Sequence, residues 1–164
     1  MTDLLKKESL EPLVWSKIAA ESFEKLKSML CKSPILHLPN KEKMFVVRSD
    51  ASSVGVGALL LQYDNEIPHP IAYASRKLLP RECNCSKIER ELLAVVFAIN
   101  KFRFYLISNK FVLEVDHRPL VFLSKFKRDN PRLMRWALSL QAYDFRIVYL
   151  PGKENIGADM LSRP

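Results

Sequence analysis

The stretch Phe45-Val46-Val47-Arg48-Ser49-Asp50-Ala51-Ser52 decides the fold. Upstream of it, apolar residues recur at helical spacing. From Met44 the period changes, and Phe45 to Asp50 reads as a strand that ends on an acid. Downstream, a second strand spans about Val54 to Tyr63 and a third about Pro70 to Ser75, with Asp64-Asn65 as the turn signal between them. Links this short predict an antiparallel meander.

The elements beyond the meander complete the outline. Ser86-Lys87-Ile88-Glu89 has the form of a capping box, and Ile88, Leu92, Val95, Ile99 and Phe102 form the buried stripe of a long helix after it. Phe111 to Asp116 is a fourth strand, which follows a helix and so joins the sheet by a crossover. One helix is expected over about Pro119 to Lys125, and another from Pro131, a residue suited to the first helical position. Tyr143 to Leu150 reads as a fifth strand, Pro151-Gly152 as a turn, and Asn155 to Ser162 as a short final helix with Ile156 and Met160 facing the core. The order β-β-β-α-β-α-α-β-α predicts an α/β domain: a mixed five-stranded sheet flanked by helices, three strands antiparallel and two added by crossovers. Before it, Ser16 caps a helix over about 16–31 with Ala19, Phe23, Leu26 and Leu30 on one face, stopped by Ser33-Pro34. The polar run Asn40-Lys41-Glu42-Lys43 separates an appendage, 1–40, from the main domain, 41–164.

At 164 residues and 48% apolar composition the chain suits one domain with a sizeable core, and a disordered chain is excluded. No apolar run approaches the roughly 20 residues of a membrane span, and the polar start lacks a signal-peptide core, so the expectation is an intracellular protein without a membrane partner. Cys31, Cys83 and Cys85, with His37, His69 and His117, show no zinc-site spacing. The net charge of +8 suggests an anionic partner, nucleic acid being the commonest.

Four acids stand out by placement. Asp50 and Asp116 end two strands which, if adjacent, bring their carboxylates close together. Glu91 edges the buried stripe of the long helix, and Asp159 lies in the last one. Such a cluster repels itself unless cations neutralise it, and all-oxygen ligands suit magnesium or manganese. Two such ions about 4 Å apart can act on one phosphodiester, one activating water and one steadying the leaving oxygen. From Lys101 onward twelve Lys and Arg face six acids, and Lys125, Lys127 and Arg128 with Phe126 form a loop suited to phosphate contact. Taken singly, each feature also has an ordinary reading: a solvated turn acid, a solubilising basic loop, a His117 in a turn, glycines at 55 and 57 relieving a bulge.

Seven motifs in order narrow the choice. They are Phe45 to Ser52, Gly55-Val56-Gly57-Ala58, Pro70-Ile71-Ala72-Tyr73-Ala74-Ser75-Arg76-Lys77-Leu78, Glu89-Arg90-Glu91-Leu92-Leu93-Ala94-Val95, Asp116-His117-Arg118-Pro119-Leu120, Tyr149 to Asn155, and Ala158-Asp159-Met160-Leu161-Ser162-Arg163. Together they resemble the ribonuclease H domain of gypsy-type long-terminal-repeat retrotransposon reverse transcriptases. Val14-Trp15-Ser16, Phe23 to Lys27 and Ser33-Pro34-Ile35-Leu36 look like the segment joining the polymerase to that domain, and the polymerase motif Tyr-x-Asp-Asp is absent.

The resemblance implies that Asp50, Glu91, Asp116 and Asp159 are the catalytic, metal-binding carboxylates. It implies two Mg²⁺ ions (Mn²⁺ being an alternative) and cleavage of the RNA strand of an RNA–DNA hybrid to leave a 3′-hydroxyl. Partners would be the hybrid and the polymerase domain of the same polyprotein. Contacts to RNA 2′-hydroxyls and DNA phosphates would give selectivity. Gly55, Gly57 and Asn155 are expected near the substrate, with Tyr149, Lys125, Lys127 and Arg128. Tyr149 stands where many ribonucleases H carry a mobile histidine, and Cys85 where the family often has an aromatic residue. Reverse transcription in such elements points to cytoplasmic particles or the nucleus. The alternative is a catalytically silent or polymerase-dependent nucleic-acid-binding domain. An integrase or transposase, whose acids usually run Asp-Asp-Glu, fits less well because the glutamate here comes second.

Overall fold

The computed structural model describes residues 16–30, 36–118 and 130–163. They belong to two units, one up to residue 35 and one from Leu36 onward. In the first, α1 (Lys17–Leu30) begins where the Ser16 hydroxyl accepts the Ala19 N–H at 3.2 Å.

The second unit is built on five strands: β1 (Phe45–Ala51), β2 (Gly55–Asp64), β3 (Ile67–Lys77), β4 (Phe111–Val115) and β5 (Phe145–Tyr149). Their order across the sheet is β3-β2-β1-β4-β5. The β1/β2 and β2/β3 pairs are antiparallel, whereas β1/β4 and β4/β5 are parallel. This is the expected mixed sheet. Helices α2 (Pro80–Cys83), α3 (Lys87–Lys101), α4 (Arg103–Leu106), α5 (Pro131–Leu140) and α6 (Ile156–Ser162) flank it. The helix expected over Pro119 to Lys125 lies outside the described residues.

The capping box that starts α3 is formed: Ser86 N–H donates to Glu89 Oε2 at 2.8 Å, and the Ser86 hydroxyl accepts the Glu89 N–H. Leu92, Val95, Ile99 and Phe102 are buried against Phe45, Val47, Leu60, Phe111 and Leu113. Hiding each such side chain contributes roughly 1.5–3 kcal/mol, which seats α3 firmly across β1 and β2. Asn130 caps α5 by accepting the N–H groups of Arg132 and Leu133, with Pro131 at the first helical position.

The third strand is longer at both ends than its sequence suggests. Asn65 and Glu66 both adopt left-handed backbone (φ 47° and 69°), closing a two-residue hairpin so tight that Asp64 pairs directly with Ile67. Pro68 and Pro70 look like strand breakers, but β3 lies at the sheet edge, where a missing N–H costs little. A register shift between Leu60 and Leu61, paired with Ala72 and Pro70, leaves Ile71 as the extra residue of a bulge.

The last helix also packs differently. Ile156 and Met160 are exposed, not core-facing, whereas Ala158 and Ser162 are buried. The cause lies in β2. A Cβ on Gly57 would stand 2.3 Å from the Ala158 carbonyl oxygen and 2.6 Å from Ser162 N, and one on Gly55 would stand 2.7 Å from the Ser162 carbonyl oxygen. The backbone of α6 rests directly on these glycines, so only small residues fit its inner face.

Candidate active site

The site grows from the parallel pairing of β1 with β4. Ser49 and Val115 are the last paired residues, so Asp50 and Asp116 follow one step beyond, at the same end of the sheet. Glu91 reaches them from the second turn of α3, held there by the buried stripe around it. Oxygens of the three carboxylates all lie within 4.8 Å of one another. Asp50 is 6% exposed and Glu91 5%.

Glu91 and Asp50 hold their protons strongly. Burial pushes the Glu91 carboxyl up to about 8, and the charges of Asp116 and Asp50 add to the effect, while Lys87 and Arg90 oppose it. Burial likewise raises Asp50, against a hydrogen bond from Ser162, with Asp116 and Asp159 raising it further. Among the described residues no Lys or Arg forms an ion pair with any of the three. Three converging carboxylates, none ion-paired among the described residues and offering oxygen donors alone, fit hard divalent cations.

The fourth acid stands apart. Asp159, on α6, is near enough to raise Asp50 but is not one of the converging three. Its Oδ1 accepts from Arg163 Nη2 at 2.6 Å and Nε at 2.9 Å. Sequence reasoning missed Ser162, whose hydroxyl donates to Asp50 Oδ2 at 2.5 Å. A serine one helical turn after Asp159 was the available signal.

Other expected site residues fare unequally. Gly55 and Gly57, expected near a substrate, are buried under α6, whose backbone they seat. Asn155 is 1% exposed and donates to the Ser49 carbonyl at 3.1 Å, tying the start of α6 to β1 instead of facing solvent. Its Oδ1 is buried without a partner. Tyr149 ends β5 and is 36% exposed, with the Arg118 guanidinium 4.7 Å from its ring centre. His117 is half-buried, and burial with the nearby Lys87 charge lowers its pKa although Asp116 raises it. Lys125, Lys127 and Arg128 lie outside the described residues.

A mixed five-stranded sheet with acids at the ends of its two central parallel strands defines the class: this is a ribonuclease H-like α/β fold. Solved structures share it. The foamy viral protease-reverse transcriptase in complex with RNA/DNA hybrid matches with a TM-score of 0.65 at 20% identity, over 94% of this chain and 22% of that one. The N-terminal RNase H domain of rv2228c from Mycobacterium tuberculosis, in a fusion with maltose binding protein, matches with a TM-score of 0.58 at 16% identity, over 73% of this chain and 90% of that one.

Residues 40–143 match the family of RNase H-like domains found in reverse transcriptase, and the chain belongs to that family. Its relatives are transposon polyproteins. It is 47% identical over 143 residues to the Retrovirus-related Pol polyprotein from transposon 297 of Drosophila melanogaster, covering 87% of this chain and 13% of the relative. It is 39% identical over 163 residues to the corresponding polyprotein from transposon 412, covering 99% and 13%. Transposon Tf2-3 polyprotein of Schizosaccharomyces pombe is 34% identical over 168 residues, covering 99% and 12%. The chain thus spans about an eighth of the length of these gypsy-type relatives.

Proposed function

We propose that this domain is a metal-dependent endonuclease that cuts the RNA strand of RNA–DNA hybrids during reverse transcription of a retrotransposon. The convergence of Asp50, Glu91 and Asp116 within 4.8 Å carries the reading, because a pure binding domain gains nothing from carboxylates that repel one another and the phosphate backbone. Asp50, Glu91 and Asp116 would hold Mg²⁺, and Asp159 would complete a second site after leaving Arg163. Bound there, the ions supply Lewis acidity toward the scissile phosphate and toward water. The chain's own residues fix the geometry: β1 and β4 set the spacing of two acids, and α3 buries the stem of the third. Ser162 donates to one oxygen of Asp50 and so fixes the orientation of that carboxylate.

We read residues 1–40 as a segment on the polymerase side of this domain; the likeness to the transposon 412 polyprotein extends into them, covering 99% of the chain. The chain spans about an eighth of these relatives; in a second reading, a polymerase portion of the same polyprotein supplies most of the grip on the hybrid. The test is digestion of end-labelled RNA–DNA hybrid, RNA duplex and DNA duplex with Mg²⁺. Cutting confined to the RNA strand of the hybrid supports the proposal. Cutting of all three duplexes, or of none even after fusion to the polymerase portion, opposes it; activity appearing only in the fusion selects the second reading.

A further inference from the structure

Two residues past Asp116, the Arg118 guanidinium lies over the Tyr149 ring, 4.7 Å from its centre. Val115 and Tyr149 pair across the parallel β4/β5 ladder, so this contact bridges adjacent strands at the sheet end that carries Asp50 and Asp116. Arg118 is exposed, and among the described residues no carboxylate pairs with it. The Tyr149 hydroxyl likewise has no hydrogen-bond partner there, so what Tyr149 offers Arg118 is the face of its ring. A cation over an aromatic face at an exposed site gains about 0.5–1 kcal/mol, enough to favour one placement of a flexible side chain.

The surroundings give that placement a use. A carboxylate cluster repels a nucleic-acid backbone as it ionises, and a strand approaching it needs fixed positive charge beside the site. Arginine suits this role because its planar fork matches two phosphate oxygens and stays charged at any working pH. We infer that Arg118, seated on the Tyr149 ring, takes a backbone phosphate of the bound nucleic acid beside the carboxylate cluster, with Tyr149 as its positioning residue. This rests on the proposed function, and it assigns to the Tyr149 ring a binding role that needs no proton transfer.

The experiment measures binding, not cutting: anisotropy of a labelled RNA–DNA hybrid with the full chain in EDTA, as a function of KCl. Arg118→Ala should weaken binding about three- to tenfold and reduce the slope of log K against log salt by about 1, the signature of one lost phosphate contact. Arg118→Lys should keep most of the slope. Tyr149→Ala should move in the same direction as Arg118→Ala, and Tyr149→Phe, which keeps the ring, should bind like the wild type. A wild-type slope in Arg118→Ala, or equal losses in Tyr149→Phe and Tyr149→Ala, would overturn the inference. If the wild type binds and cuts the hybrid while Arg118→Ala matches it, this inference alone falls. If the wild type binds no hybrid, this inference falls, and the cleavage assay on the polymerase fusion decides the proposed function separately.

Discussion

The Ser162 hydroxyl, at the end of the last helix, donates a 2.5 Å hydrogen bond to Asp50 Oδ2 at the end of the first strand, 112 residues earlier in the chain. The Ser162 carbonyl in turn accepts from the Ser52 hydroxyl at 2.6 Å. Both partners of the first bond are buried, so the bond is protected from water and fixes the orientation of the carboxylate. The closing segment of the chain therefore orients the acid at the centre of the site.

Ser162→Ala should leave the fold in place but loosen Asp50. A lost bond to a charged group is worth about 1.5–3 kcal/mol, so we expect the Mg²⁺ concentration for half-maximal activity to rise at least several-fold. Calorimetric Mg²⁺ titration of the variant should show the same weakening. Unchanged affinity in both measurements would assign Ser162 to packing alone.

Gly57→Ala tests the seat of α6. The added methyl would meet backbone atoms at 2.3–2.7 Å, and backbone cannot step aside as a side chain can. Overpacking of this kind costs about 1–3 kcal/mol. Urea unfolding should report that loss, and Mg²⁺ affinity should fall with it because Ser162 moves away from Asp50.

The pH dependence of the metal-free protein follows from Glu91. Its carboxyl sits near 8 in the folded chain against a usual 4.5. Below about 4.5 both folded and unfolded chains hold the proton, and this contribution to stability is complete. Between 4.5 and 8 the unfolded chain releases the proton while the folded one keeps it, so stability falls as pH rises. Melting in EDTA should show Tm declining from pH 5 to 8. Glu91→Gln should flatten that decline and raise Tm at pH 8, each kcal/mol recovered being worth roughly 2–4 °C in a domain of this size. Mg²⁺ should restore Tm in the wild type and not in the variant.

Glu66 holds a left-handed backbone at φ 69° in the hairpin between β2 and β3. Glycine adopts that region without the Cβ penalty, which is roughly 1–2 kcal/mol. Glu66→Gly should raise stability by about 1 kcal/mol in chemical denaturation without altering nuclease activity.

How much of this was legible in the sequence depends on which force decided each element. The long apolar stripe from Ile88 to Phe102 and the Ser86 capping box are local signals, and α3 formed where they place it. Asp50 and Asp116 could be singled out because acids end two apolar runs, and the parallel pairing of β1 and β4 brings them together. The inner face of α6 was not legible. Its sequence places Ile156 and Met160 where a core helix wants apolar residues, yet contact across 100 residues with Gly55 and Gly57 turns Ala158 and Ser162 inward. The same long-range contact buries the two glycines under α6, and the burial of Asn155 against β1 is equally a property of the assembled sheet. The full length of β3 was hidden because Pro68 and Pro70 are tolerated only at a sheet edge, and edge position is a property of the whole sheet.

The most direct test of the account is Mg²⁺-dependent cleavage of an end-labelled RNA–DNA hybrid by the wild type and by Asp50→Asn, side by side with a calorimetric Mg²⁺ titration of each. RNA-strand cutting and Mg²⁺ binding are expected of the wild type, with both lost in a variant that still melts cooperatively. Asp50→Asn cutting at the wild-type rate would contradict it.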